Sequence, residues 1–499
     1  MGVGGTAALG AALHARALGL DVTGCDHDLS EESAALLAGA GVEFIDGEGT
    51  NHLGDRTLLA VSKAVTSVAP NHPELVGARA AGIPLLSVQQ VIADAAATRG
   101  GPLLGVAGTH GKTTSTGWLL AALRASGHDP SAFVGGPLGA ADGTPPGSPV
   151  HFGSESGFIV EADEYGGNFD PYAADSAVIL NADCDHPDNF ANLDAVIATF
   201  VAWARPVLAR GYVVINVADE GGASISQALR HDASEAERAH ILTYAVRATG
   251  DDERNDNVPA KARGVRADVE ATLLRGARGS VALCDLHPST RAIGLLPALR
   301  DLSTKGLQIG LLGAHNAANA LGVALLAAAN GGSASGITSA LANFEGVGRR
   351  LHVRFDDGVH AVLDDYGHHP TAIRATIETV RARYPEKHLI LAIEPLTYHR
   401  TAALLDSLAA AASLADAVVV ADIFAVRDPD LTISSPGALA AAIARHGVPA
   451  TAPGSVEDAA DAIAATLPAN SVVLVMGGGR STLLATRLAR HLSALAPRD

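Results

Sequence analysis

The strongest chemical signal in the sequence is Gly105-Val-Ala-Gly108-Thr109-His110-Gly111-Lys112-Thr113-Thr114. An apolar strand pattern, Pro102–Ala107, leads into it, and a helical pattern, Thr114–Ala125, follows. That is the context a phosphate loop needs. Glycines let backbone N–H groups close on phosphate oxygens, the helix N-terminus adds positive potential, and a lysine offsets the β/γ charge. Lys112 fills the last role, and Thr113 stands where a hydroxyl reaches Mg²⁺. Val106 occupies the first glycine position of the general GxxxxGK[ST] pattern. A glycine turn with a surface lysine would leave the strand–turn–helix agreement unexplained.

Other polar groups fall at strand ends. Glu161-Ala-Asp163-Glu164 follows the strand pattern Gly157–Val160, where carboxylates can hold Mg²⁺ beside a phosphate loop. The next strand, Ser176–Leu180, ends in Asn181-Ala-Asp183-Cys-Asp185-His186-Pro187. Three strand ends thus converge where open α/β sheets bind ligands. Asn316 and Asn319 share a helix face within an apolar run, so their amides need partners; an adenine edge is one, packing against a neighbouring helix another. Arg349 and Arg350 suit a γ-phosphate clamp, or a plain surface pair. Asp364-Asp365-Tyr366-Gly367-His368-His369-Pro370 follows a strand directly, as a ligand-facing turn would. At the start of the chain, Gly2-Val3-Gly4-Gly5-Thr6-Ala7 fits G-x-G-x-x-[GA], with Asp26 near the distance of a ribose-binding acid. Alone, that fingerprint would also suit a nicotinamide-dependent oxidoreductase, but such an enzyme leaves Lys112 without a task.

The elements that must position these groups alternate strand and helix. Helical Thr6–Leu20 precedes strands Asp21–Cys25 and Leu58–Val61, the latter ending at Ser62-Lys63-Ala64. A further strand is expected at Tyr212–Asn216. Near Val347 a third unit begins, with strands at His360–Leu363, Leu389–Ile393, Ala417–Ala421 and Val472–Met476. Helical patterns Thr371–Tyr384, Thr401–Leu414, Pro436–His446, Val456–Leu467 and Ser481–Leu492 separate them. Ala141–Pro149 reads as a loop and Arg247–Arg266 as a charged surface excursion. The chain has 499 residues, so about three domains fit its length. The expected division is 1–97, 98–346 and 347–499, all α/β. No strand pattern precedes the opening glycine turn.

Composition sets the outer limits. A formal charge of −18 leaves no broad basic face for nucleic acid, so any nucleotide must be small and gripped locally by residues such as Lys112, Arg349, Arg350 and Arg400. Three cysteines, Cys25, Cys184 and Cys284, without a CxxC pair among them lead to the expectation of neither a disulfide framework nor a zinc site, and a reducing cytoplasm is the default. Polar residues interrupt the most apolar runs, Leu311–Ala329 and Leu408–Val426, which therefore read as buried elements and not membrane spans. No signal-peptide pattern opens the chain.

Together the motifs resemble the Mur ligases of peptidoglycan synthesis. The pieces that carry the likeness are Gly2–Gly5, Gly108–Thr114, Glu161–Glu164, Asp185-His186-Pro187-Asp188, His315–Asn319, Gly348–Arg350, Asp364–Pro370 and Arg400-Thr401. The resemblance implies an N-terminal Rossmann-like domain for a UDP-sugar, a central P-loop ATPase with a parallel or mixed sheet, and a C-terminal Rossmann-like α/β domain. Its alanine-adding members are the nearest in pattern. They imply ATP and Mg²⁺ as cofactors and UDP-N-acetylmuramate and L-alanine as substrates, joined through an acyl phosphate. A monomer or homodimer binding neither membrane nor nucleic acid is expected. By the same likeness Lys112, Glu161, His186 and Arg350 are catalytic, and Thr113, Glu161 and His186 hold metal. Gly108, Thr109, His110, Gly111, Lys112, Thr113 and Thr114, with Asn316, Asn319, Arg350 and Asp365, bind ATP. Gly2, Gly4, Gly5, Asp26, Ser62, His368 and Arg400 bind the other substrates.

Several positions depart from the family pattern. Ala7 replaces a third glycine, and Glu394 and Leu396 stand where alanine-adding members usually carry glutamine and histidine. Met476-Gly-Gly-Gly479-Arg480 differs from the usual Gly-Ala-Gly run. The run Asp365–Ile373 with Glu394-Pro395 also resembles the related ligase that attaches a recycled murein tripeptide. An inactive nucleotide-binding paralogue is a third expectation, set by these departures.

Overall fold

A computed structural model describes the chain apart from residues 28, 48, 50–51, 140–146, 188, 249–265, 426–427, 429 and 496–499. Asp188, most of the expected loop Ala141–Pro149 and most of the expected excursion Arg247–Arg266 lie outside the described residues.

The centre of the molecule is a ten-stranded sheet, parallel through its middle and antiparallel at both edges. Strand Leu103–Ala107 sits between Phe158–Ala162 and Ser176–Ile179, and Val213–Asn216 follows outward. Both faces are covered, so these strands are near-continuous apolar runs rather than alternating ones. Helix Lys112–Ala125 packs on one face with Ala314–Ala329 and Ala334–Asn343. Arg247 and Ala248 differ from expectation: they end strand Ile241–Ala248, which pairs in parallel with Val269–Arg275.

The C-terminal unit is a six-stranded sheet in the order His352–Asp356, Ala361–Asp365, Ser471–Gly477, His388–Glu394, Ala417–Ala421, Ala450–Gly454. All neighbours are parallel except the first pair. The expected helix Thr401–Leu414 is divided into Tyr398–Ala403 and Leu405–Ala412.

The N-terminal unit holds two parallel strand pairs, Thr23–Asp26 with Glu43–Asp46 and Leu59–Val61 with Leu85–Ser87. The chain start runs between them. The Met1 amine donates to the Ala60 carbonyl at 3.1 Å, while Gly2 and Val3 N–H groups donate to the Cys25 carbonyl at 2.9 and 3.1 Å. Helix Thr6–Ala17 then crosses to the central unit. Gly10 lets it approach, since a β-carbon there would stand 2.6 Å from the Phe133 ring. Val3, Leu9 and Leu13 join Phe133 and Phe158 in one apolar cluster, so the first two units share a core.

Candidate active site

A cleft of about 1680 Å³ opens where the three units meet. Gly4 from the first, Lys112, Glu161 and Asn319 from the second, and Arg350 and His368 from the third all face it.

The phosphate loop forms because a fully buried strand stops at Ala107 and two glycines turn the chain. Gly108 and Gly111 take φ values of 145° and 81°, the left-handed half of the map that favours glycine. Gly111 is also sterically required, for a β-carbon would lie 2.5 Å from the Asn319 amide nitrogen. Asn181 fixes the loop crest: it accepts from the His110 N–H at 2.8 Å and donates to the His110 carbonyl at 3.0 Å.

Lys112 opens the following helix and points at the acidic strand end. Its Nζ donates to Glu164 at 2.9 Å and lies 3.3 Å from Asp163. Burial works against its charge, but Glu164 and Asp163 outweigh that and push its pKa above the usual lysine value. Beside it, Glu161 accepts from the Thr113 hydroxyl at 3.1 Å and from the Gly135 N–H at 2.7 Å. Burial raises the Glu161 carboxyl, with Lys112 opposing. Gly135 leaves room for this contact, because a β-carbon there would stand 2.4 Å from that carboxylate and displace it.

The third unit reaches across through several side chains. Arg350 donates to the Thr113 hydroxyl at 3.4 Å and stacks over Tyr366 with 5.2 Å to the ring centroid. Arg400 pairs with Asp185 at 2.9 Å and donates to His186 Nδ1 at 2.7 Å. Thr371 donates to Asp183 at 2.7 Å. The same Asp183 oxygen lies 3.2 Å from His110 Nε2 and 3.7 Å from His369 Nδ1, so it joins the phosphate loop to helix Pro370–Arg383. Although burial pushes the other way, His110, His369 and Thr371 hold the Asp183 carboxyl well below the usual range.

Not every expected residue points where the sequence suggested. Arg349 lines the cleft, yet its guanidinium is engaged within the C-terminal unit, donating at 2.8 Å to both the Gly477 carbonyl and the Ser481 hydroxyl. Asp26 is off the cleft wall and caps the opening turn, accepting from Gly4 N–H at 2.7 Å. Asp365 lines the cleft, yet its two oxygens accept from Leu351 and Gly367 N–H groups at 2.8 and 2.7 Å. Asn316 donates to the Leu312 carbonyl at 2.8 Å, while Asn319 sits against Gly111. Gly2, Gly5, Thr109, Thr114 and Ser62 are on the wall; Gly108 lies behind it. Burial first, then Arg400, lowers His368 to about 3, leaving a neutral ring.

Sequence reasoning passed over Lys63, whose ammonium reaches the Gly166 carbonyl beside the acidic loop. It also passed over Thr371 and Asp219. Burial raises Asp219 to about 6 while it caps the helix after Val213–Asn216. A lysine at the carboxyl end of Leu59–Val61 was the available signal for Lys63.

Comparison with known proteins fits this arrangement. Three profiles of one family match in order: Mur ligase family, catalytic domain, over residues 1–99; Mur ligase middle domain over 106–327; and Mur ligase, glutamate ligase domain, over 348–479. The UDP-N-acetylmuramate–L-alanine ligase of Mycolicibacterium vanbaalenii is 32% identical over 506 aligned positions, covering 99% of this chain and 96% of that protein. The chain belongs to the Mur ligase family. A second relative, the UDP-N-acetylmuramate–L-alanine ligase of Solidesulfovibrio magneticus, is 32% identical over 85% of the chain and 82% of its own length. Among solved structures, the fold of this Mur ligase resembles UDP-N-acetylmuramate-alanine ligase from Thermotoga maritima, with a TM-score of 0.77 at 20% identity over 99% of this chain and 98% of that one. A murein peptide ligase from Psychrobacter arcticus gives 0.69 at 23%, over 100% and 98%. Among the described residues of this Mur ligase, no helix is long and apolar enough to cross a membrane.

Proposed function

We propose that this Mur ligase is an ATP-dependent carboxylate–amine ligase of the cytoplasm that joins L-alanine to UDP-N-acetylmuramate. The observation that carries the reading is Lys112, a buried cation between strand and helix, facing Arg350 across the cleft. The alanine-ligase relatives at 32% identity supply the substrate class.

Amide formation from a carboxylate needs a leaving group. In the proposed reaction a carboxylate oxygen of the muramyl group attacks the γ-phosphorus of ATP, and the β–γ bridging bond breaks to release ADP. The free alanine amine then attacks the acyl carbon, phosphate leaves with the C–O bonding pair, and the amine proton passes to solvent. Such transfers rely on positioning and charge compensation, not on a covalent protein nucleophile. Lys112 and Arg350 carry that compensation, with backbone N–H groups of Thr109–Thr114 around the phosphates. We assign Asn316, Asn319 and Asp365 to the adenosine end, and Gly2, Gly4, Gly5, Ser62, Asp26, His368 and Arg400 to the sugar nucleotide and acceptor. Units 1–97, 98–346 and 347–499 then bind sugar nucleotide, ATP and acceptor in turn. Asp26 and Asp365 take part after exchanging their backbone donors for ligand hydroxyls.

For Mg²⁺, the Glu161 carboxylate and Thr113 hydroxyl are adjacent hard oxygen donors, the set this ion selects. Bound there, the ion would neutralise charge on the phosphoryl oxygens. His186 is held differently. A guanidinium can only donate, so Nδ1 must accept from Arg400, and burial, then Arg400 against Asp185, keeps the ring neutral at about 4. The other ring nitrogen therefore carries the proton, and His186 joins a metal only by giving up Arg400.

Phosphate release from ATP, with UDP-N-acetylmuramate and either L-alanine or a murein tripeptide, tests the reading. Release that depends on L-alanine is expected. Release with the tripeptide alone overturns it in favour of the recycling ligase, and ATP binding with no release on either amine marks an inactive paralogue.

A further inference from the structure

The N-terminal unit holds a cluster that none of this chemistry uses. Cys25 lies in strand Thr23–Asp26, His52 in the segment before Leu59–Val61, and Glu74 in the first turn of helix Pro73–Ala80. One ligand atom from each lies within 4.8 Å of the other two. Cys25 is 4% exposed and Glu74 2%, among Leu53, Leu59, Val61 and Leu75.

Two details go beyond proximity. The Cys25 sulfur stands 3.5 and 3.7 Å from the two Glu74 oxygens. Around a tetrahedral zinc, with sulfur at about 2.3 Å and oxygen at about 2.0 Å, those two corners are roughly 3.5 Å apart. The pair is therefore already at ligand spacing. In addition, His52 Nδ1 is buried with no hydrogen-bond partner among the described residues. A buried ring nitrogen left unsatisfied is costly, and a metal bond would satisfy it.

We propose that Cys25, His52 and Glu74 form a binding site for a divalent metal of the zinc class. Thiolate, imidazole and carboxylate together suit Zn²⁺ or Co²⁺, whereas Mg²⁺ prefers oxygen alone. Binding displaces the Cys25 thiol proton to solvent and joins a strand, a connecting segment and a helix of the first unit. Three protein ligands leave the fourth tetrahedral position for water.

The test uses the full chain, stripped by chelator and titrated with Co²⁺ in excess Mg²⁺. One equivalent should give a thiolate-to-cobalt charge-transfer band and tetrahedral visible bands, and Zn²⁺ should displace both and raise the melting temperature. Cys25→Ser should lose the charge-transfer band. His52→Ala and Glu74→Gln should each weaken Co²⁺ binding by at least ~10-fold. Far-ultraviolet circular dichroism confirms that each variant is folded, and His52, half-buried on a connecting segment, is the replacement least able to disturb the core. No band in the parent chain overturns the site. So does an undiminished band in Cys25→Ser, which would place the thiolate at Cys184 or Cys284, or full affinity in both His52→Ala and Glu74→Gln.

Discussion

Lys112 has a single feature that separates a working ammonium from a decorative one: it is largely buried against two carboxylates and cannot leave without stranding the buried one, Glu164. Lys112→Met should therefore have two effects. Turnover should fall by about 10²–10³-fold or more through lost charge compensation, read as phosphate release. Stability should fall by roughly 3–5 kcal/mol, because Glu164 remains buried without its cation, read by urea unfolding. Lys112 was legible in the sequence since strand, glycines and helix flank it in one continuous run. Arg349 was not, although it adjoins Arg350. Its φ of 60° swings the side chain onto Gly477 and Ser481, more than a hundred residues away in sequence, and no local pattern encodes that. His14 belongs at this scale too. Burial lowers it to about 4, against a hydrogen bond with Ala132 that raises it, and its ring lies 4.9 Å from Phe158. An unfolded histidine takes its proton near pH 6.5, the folded one near 4. The stability this buried neutral ring contributes is thus present above about pH 6.5 and lost as pH falls toward 4, on the order of 3 kcal/mol. His14→Leu should flatten that acid limb in melts between pH 7 and 4.5. Asp219, raised to about 6, has the opposite sign and loses its contribution as pH rises from about 4 to 6.

Among the elements, the long apolar strands were readable and the short or amphipathic ones were not. Leu103–Ala107 and Ser471–Gly477 are buried on both faces, Ala417–Ala421 is buried on one face and mostly half-buried on the other, and all three are dominated by apolar residues. Glu43–Asp46 and His352–Asp356 have exposed ends and polar members, and each depends on pairing with one neighbour. The hairpin of Val269–Arg275 with Val281–Pro288 carries exposed and charged members, and is held by its own antiparallel ladder and by pairing with Ile241–Ala248 on one side and Leu307–Ile309 on the other. The glycine-led elements have a sharper logic. Gly111→Ala meets both a left-handed backbone and the Asn319 amide nitrogen at 2.5 Å, so the Asn319 side chain must give way. The expected outcome is a loss of about 1–3 kcal/mol and at least tenfold weaker ATP binding, measured by calorimetry. Gly294→Ala is the control: it is exposed, its added carbon meets nothing within 4 Å and its backbone lies outside the left-handed region, so nucleotide affinity should be unchanged.

Across the whole molecule, the third unit is held to the second by Arg350–Thr113, Arg400–Asp185 and Thr371–Asp183. Of these, Arg400–Asp185 is buried on both sides, each side chain 7% exposed. Arg400→Met should cost about 3–5 kcal/mol by leaving Asp185 unpaired, and Arg400→Lys should recover part of it. The unfolding midpoint reads both. The units themselves were visible from sequence because each carries its own strand–helix alternation. Their contacts were not, since Asp183 and Thr371 meet across 188 positions through one hydroxyl.

That hydroxyl has one more consequence. The Asp183 carboxylate it reaches also touches His110 in the phosphate loop, so docking of the third unit and filling of the loop share an atom. Equilibria that share a group are coupled, and the coupling is symmetric: whatever factor docking adds to nucleotide affinity, nucleotide must add to docking. Thr371→Val removes the shared bond while keeping shape. ATP should then bind a few-fold more weakly, and small-angle scattering should show ATP compacting this variant less than the parent, by a matching factor.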